Sequence, residues 1–267
     1  MTKLYNFVFM KSIFNIKNFI NFLIKSNIYV ALSVCSLMIS VCIILGLKIH
    51  FFATGILFFG TIISYYFTKQ GNFIIRSTSL ILCVLFCIFC FFNLQWKSQI
   101  IIILNSILSI FYILPIRKKN LRSISFIKIF IVAFCWILGS VWLPIFEDNY
   151  LINKYVYWIS LQYFIWIIVL ILPFDIRDKK YDALKIITFP TKFGVIFTKI
   201  LGFILVLLFL TISYFINKNS IWYSQFISGI ITALFLYFSK EQQSKYYCNF
   251  WVESVPIFYL ILLILLQ

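Results

Sequence analysis

YVYWISLQYFIWIIVLILPFDIRDKKYD (Tyr155–Asp182) sets a 20-residue apolar run, Tyr155–Phe174, directly against a cluster of charges. About 20 apolar residues are what one helix needs to cross the hydrocarbon core of a bilayer. The run therefore reads as a membrane span, with PFDIRDKKYD (Pro173–Asp182) at its end in the water-facing layer. Outward from it the chain repeats the same theme. Of its residues 63% are hydrophobic and only 11% charged, against about 45–50% and about 25% in a soluble domain. Too few polar side chains exist to coat a globule in water.

Nine apolar stretches can be marked: Asn27–Leu47, Ile49–Phe67, Phe73–Phe92, Gln99–Ile116, Ile124–Ile145, Tyr155–Phe174, Phe193–Ile216, Ile221–Phe238 and Phe250–Leu266. The short breaks between several of them demand antiparallel hairpins. The break between the first two rests on Gly46, Lys48 and His50 alone. The expected fold is all-α, a polytopic membrane protein built as a nine-helix bundle. Residues 1–26 form a cytoplasmic N-terminal segment and residues 27–267 one transmembrane helical domain. Within the former, Phe14–Ile24 reads as an amphipathic helix lying on the membrane surface. No small-residue cleavage site follows it.

The net charge of +16 is accounted for by orientation rather than by nucleic acid. Lys and Arg collect in cytoplasmic loops. With nine spans, all but Lys48, Lys97, Lys154 and Lys218 of the 23 basic residues fall on the side of the N-terminus. The N-terminus is then cytoplasmic, the C-terminus external, and the expected location the plasma (inner) membrane. No soluble basic domain can be cut out, so nucleic acid is not an expected partner. Six of the seven cysteines lie in apolar runs. Cys83, Cys87 and Cys90 share a helix face but have no His or acid nearby, so they read as packing residues. His50, at an external hairpin, reads as an interfacial residue.

Acids are scarce, and three of the seven, Asp175, Asp178 and Asp182, fall within eight positions. Their i, i+3, i+7 spacing puts them on one helix face, with Arg177 pointing elsewhere. Carboxylates so placed repel unless a cation sits among them. Mg²⁺ is one candidate, since it bridges one or two carboxylates to a substrate diphosphate. A solvated helix end with Arg177, Lys179, Lys180 and Lys185 as counter-ions is the other reading. On the same side, YILPIRKKNLRSISFIK (Tyr112–Lys128) supplies Arg117, Lys118, Lys119, Arg122 and Lys128. These suit phosphate oxygens, or simply positive-inside sorting and anionic lipids.

PFDIRDKKYDALKIITFPTKFG (Pro173–Gly194) resembles the second Asp-rich motif of the UbiA superfamily of intramembrane prenyltransferases, whose members have nine transmembrane helices. The resemblance implies Asp178 and Asp182 as catalytic, metal-binding aspartates with Asp175 as an accessory ligand. It fits Thr188 and Gly194 to the tail of the motif. YILPIRKKNLRS is similar to the family's Tyr-plus-basic loop, which implies Arg117, Lys118 and Lys119 as diphosphate ligands. The implied chemistry is Mg²⁺-assisted transfer of a prenyl group from an allylic diphosphate to an aromatic or other lipophilic acceptor. The first motif is absent. GTIISYYFTKQGN (Gly60–Asn72) has no acid where the family has several, only Ser64, Tyr65 and Thr68. One metal at most is therefore expected without substrate. A catalytically degenerate member serving as a lipid-binding or interaction scaffold is the alternative. A transporter ranks third, since no repeat is visible and span centres lack acids. Glu253, near the start of the last span, reads as a snorkelling or cavity-facing accessory group.

Overall fold

The structure, a computed structural model, describes residues 16–70, 78–114, 124, 126–182, 186–217 and 219–266. Eight helices there are long and apolar enough to cross a membrane. They are α1 (Ile28–Leu45), α2 (Phe51–Gln70), α4 (Trp96–Ile113), α5 (Ile127–Glu147), α6 (Lys154–Asp182), α7 (Phe189–Ile216), α8 (Asn219–Phe238) and α9 (Tyr247–Leu266). A shorter apolar helix of 15 residues, α3 (Thr78–Phe92), lies between α2 and α4. Eight of the nine spans read from the sequence are thus matched; the third, expected over Phe73–Phe92, is described only as the shorter helix α3. Residues 16–25 are also helical, with Phe19 and Phe22 exposed.

The breaks have local causes. Gly46 ends α1 in the left-handed region (φ 66°), and its N–H bonds back to the Cys42 and Ile43 carbonyls. That conformation is one glycine adopts without strain. Gly194 (φ 85°) likewise separates the first turn of α7 from the rest of the helix. The span expected from Phe193 onward is thus preceded by a turn over Phe189–Phe193, started by Thr188 and Thr191 as reciprocal caps. Two wide π-helical turns, Leu138–Trp142 in α5 and Tyr247–Val252 at the head of α9, re-aim the side chains that follow them.

The bundle closes on itself, with sequential neighbours packed together and α9 returning to α1. Two helices form its centre. In their most apolar windows α1 and α6 are 72% buried, while α2 and α4 are only 22% buried. At the core, Trp166 of α6 stacks on Phe209 of α7 at 5.1 Å and donates to Thr232 Oγ1 of α8 at 2.9 Å. Beside it the Gln225 side-chain oxygen accepts from Gln162 (2.9 Å), Asn217 (2.8 Å) and Ser213. Gln225 itself donates to Tyr259 (3.2 Å), which pairs with Tyr163 at 2.9 Å. Polar groups in a lipid-surrounded core must find such partners, because no water competes for them.

At 29 residues α6 exceeds a single crossing, so its last turns stand beyond the hydrocarbon. At the opposite end of the bundle, Asp148 ties two hairpins. It accepts from the Lys48 N–H at 3.3 Å and pairs with His50 Nε2 at 3.1 Å. The hydrogen bond from His50 leads in holding the Asp148 carboxyl below the usual range.

Candidate functional site

The final two turns of α6 carry the acids. Asp175 is 2% exposed. The cation among the carboxylates is a lysine. Lys128 Nζ, from the first turn of α5, lies 2.9 Å from Asp175 Oδ1 and 3.3 Å from Asp182 Oδ2. The approach of α5 is fixed just before it. Phe126 takes a left-handed backbone (φ 63°), and its N–H bonds the Ile187 carbonyl at 3.1 Å. Phe126 also sits over Phe189 with ring centroids 4.9 Å apart. The motif tail thus seats Phe126, two residues before Lys128.

Asp178 is handled separately. Arg177 does not point away, as helical spacing suggests. Its long side chain folds back, Nε to Oδ1 at 2.7 Å and Nη2 to Oδ2 at 2.9 Å, the bidentate fork that guanidinium and carboxylate favour. Its Nη1 reaches Asn249 Oδ1 on α9 at 2.7 Å. Lys179 pairs with Glu241 at 2.7 Å. Asp178 keeps 34% of its side chain exposed, the most of the three motif acids.

Two further charged groups come from the ends of other helices. Lys69, at the end of α2, donates to Asn27 and to the Ile24 carbonyl (3.3 Å). It thereby holds the surface helix of residues 16–25 to the bundle. Glu253, just after the wide turn of α9, lies within electrostatic reach of both Lys69 and Arg177. Sequence reasoning placed Lys128 with the phosphate-gripping basic residues and missed that it neutralises two of the acids. Lys69 and Asn249 carried no signal at all. Arg117, Lys118, Lys119 and Arg122 lie outside the described residues.

A cavity of about 540 Å³ lies between α2, α3, α4 and α5. That volume is in the range of small-molecule sites. Tyr65, Thr68 and Tyr112 line its polar end, and Leu57, Phe91, Phe92 and Ile102 its far end. Asn105, Ser106, Ser109 and Cys135 make a sparse polar seam on an apolar wall. Tyr112 is the hinge of the two regions, being also an electrostatic neighbour of Lys128. Ser64, Tyr65 and Thr68, the residues standing where the first motif is expected, line this cavity.

The donor set accommodates a metal only in a restricted way. Asp175 and Asp182 already share an ammonium, and Asp178 a guanidinium. Among the described residues no three His, Cys, Asp or Glu side chains converge as a metal-holding group. Mg²⁺, however, typically takes one or two carboxylates together with substrate phosphates rather than a dedicated protein cage. Asp178, the most exposed of the three, and Asp182 are the acids such an ion would draw on. No acid on α2 is present to fit a second, since its end reads Thr68, Lys69, Gln70.

The class defined by these features is an intramembrane helical bundle with paired acids and bases at its helix ends and an apolar cavity among its helices. Two solved structures share this fold over 91% of the chain. One is a UbiA homolog from Archaeoglobus fulgidus bound to GPP and Mg²⁺, with a TM-score of 0.62 and 9% identity, covering 91% of this chain and 97% of that one. The other is a UbiA homolog from the same organism bound to DMAPP and Mg²⁺, with a TM-score of 0.60, 8% identity and the same coverage. The chain therefore has the UbiA fold and is an integral membrane protein. No protein-family model matches the sequence, and no curated protein matches it.

Proposed function

We propose that this protein is a divergent prenyltransferase, moving a prenyl group from an allylic diphosphate to a lipophilic acceptor in the membrane. The observation that carries the proposal is the junction of two unlike environments on this fold. The bundle holds both motif aspartates with basic partners and an apolar 540 Å³ cavity, linked through Tyr112, which lines the cavity and is an electrostatic neighbour of Lys128, as a diphosphate with a hydrocarbon tail requires.

In this reading Asp178 and Asp182 hold one Mg²⁺, which, when bound, lends positive charge to the leaving diphosphate. Asp175, the most buried motif acid, keeps Lys128 in place. Lys128 and Arg177 then turn toward phosphate oxygens, aided by Arg117, Lys118 and Lys119 from the adjoining loop. The cavity excludes water from the ionising carbon. Tyr65, Tyr112, Trp136 and Phe91 present ring faces that stabilise a passing allylic cation. The site faces the cytoplasm, by the distribution of basic residues.

The scaffold reading is favoured by one specific observation, the Thr68-Lys69-Gln70 end of α2 in place of acids. One experiment decides between the two. The purified chain in lipid nanodiscs is given dimethylallyl, geranyl and longer allylic diphosphates with Mg²⁺, and released diphosphate is measured. Release that disappears in Asp178→Ala and Asp182→Ala is expected. No release from any donor in the unmutated chain leaves the scaffold reading in its place.

A further inference from the structure

Asp182 is claimed from two sides. It lies one turn beyond Asp178 on α6, the i, i+4 spacing at which helix side chains are neighbours and two carboxylates can share an ion. Its Oδ2 is nonetheless taken by Lys128 Nζ at 3.3 Å, and the same nitrogen holds Asp175 Oδ1 at 2.9 Å. No other basic side chain among the described residues pairs with two carboxylates.

This contact is built rather than incidental. Asp175 and Asp182 stand seven residues apart, about 10 Å of helix rise, and the ammonium spans them. All three side chains are largely out of water. The backbone two residues before Lys128 is tied down by the bond from Phe126 N–H to the Ile187 carbonyl, and Lys192 Nζ lies over the Phe126 ring at 5.3 Å. Only the flexible four-carbon stem of Lys128 is free to swing. Buried carboxylates need a counter-charge, and here the chain supplies it itself. A divalent ion drawing on Asp178 and Asp182 would set a double positive charge beside that ammonium. Like charges in such a setting oppose each other, so ion and ammonium exclude one another at Asp182. Phosphate oxygens are the kind of anion that draws an ammonium away.

We infer that Lys128 is the resident cation of this site: it keeps Asp182 closed to a divalent ion in the empty protein and gives it up when a diphosphate arrives. The identity of that diphosphate rests on the transferase reading above. Metal and diphosphate then bind with positive coupling, because each favours the lysine swung away from Asp182.

The first test needs no turnover and no diphosphate. The full chain in one uncharged detergent is titrated with Mn²⁺, which takes the oxygen ligands that Mg²⁺ takes, and free Mn²⁺ is read by electron paramagnetic resonance. Lys128→Met is expected to bind one Mn²⁺ at least about 10-fold more tightly than the parent, within the usual range of coupling between two ligands. Lys128→Arg keeps a cation in place and stays as weak as the parent. Adding Asp182→Asn to Lys128→Met abolishes the gain. Thermal midpoints are read in chelator and in Mn²⁺. The ion raises the midpoint of Lys128→Met and leaves the parent unmoved, so a variant that needs the ion to fold still reports. Equal affinity in parent and Lys128→Met, a gain that survives Asp182→Asn, or a Lys128→Met midpoint indifferent to Mn²⁺ each overturns the assignment. A second arm loads the parent with geranyl thiolodiphosphate, which resists ionisation, and passes it through gel filtration with Mn²⁺. Retention of Mn²⁺ with this analogue and not without it is expected. Failure of this arm alone removes the diphosphate, and the transferase reading with it, and is told apart because the first comparison contains none.

Discussion

Replacing Lys128 by Met removes the one ammonium that Asp175 and Asp182 share. The two ion pairs it breaks are 2.9 and 3.3 Å long, and the three side chains are 14%, 3% and 13% exposed. At an effective dielectric near 20, each pair is worth roughly 5 kcal/mol of gross attraction. Desolvation of the ions offsets most of it, so the arrangement is a weak net contributor while intact. Breaking it from one side is different, because two carboxylates are left facing each other in a buried setting. The expected loss is about 3–5 kcal/mol. For a chain of this size that corresponds to a fall in unfolding midpoint of roughly 6–20 °C. The assay is thermal unfolding by tryptophan fluorescence in one fixed detergent. Adding Asp175→Asn to Lys128→Met removes one of the stranded charges and should restore about half of the loss. A Lys128→Met midpoint within about 2 °C of the parent refutes the shared-ammonium arrangement.

Asp178→Ala should abolish diphosphate release yet shift stability by no more than about 1 kcal/mol, because its ion pair is partly exposed; equal losses of fold and activity contradict this. Gly60→Phe should fill the cavity at little cost in midpoint, since a Cβ there meets nothing within 4 Å, and should shift donor preference toward shorter tails in a competition assay. Gln225→Leu orphans donors from Gln162, Asn217 and Ser213 and should cost about 1–2 kcal/mol, read as a lowered unfolding midpoint. Asp148 is held below its usual range by His50, so its stabilisation is fully present above about pH 4 and is lost as pH falls through the depressed value. The midpoint gap between the parent and Asp148→Asn should therefore close on acidification below about pH 4, and a gap that widens contradicts the pairing.

The spans were legible because lipid imposes a length and an apolar content that survive in a single sequence. The hairpin at Gly46 was readable for a related reason, since glycine there marks a left-handed helix end. The start of α7 was not, because the Thr188–Thr191 cap and the Gly194 kink extend an apolar run with polar residues. In the site, i, i+3, i+7 spacing put three acids together but said nothing of what neutralises them. Lys128 lies 47 residues from Asp175, and only the packing of α5 on α6 brings them together. Arg177 was misplaced for a different reason. Helical spacing fixes where a side chain starts, while the flexible arginine stem decides where its guanidinium ends. Lys69 was hidden among loop lysines because its partners are a backbone carbonyl and an asparagine, neither of which leaves a pattern in the sequence.

The most direct measurement is photo-crosslinking with a geranyl diphosphate analogue carrying a photoreactive tail, in nanodiscs, followed by peptide mapping. Labelling is expected on the cavity-facing residues of α2 and α4, such as Ser64, Tyr65, Asn105 and Ser109, and it should require Mg²⁺ and be lost in Asp178→Ala. Labelling confined to lipid-facing positions of α7 such as Ile196, Ile204 and Leu207, indifferent to Mg²⁺ and to Asp178, contradicts a diphosphate site opening onto this cavity.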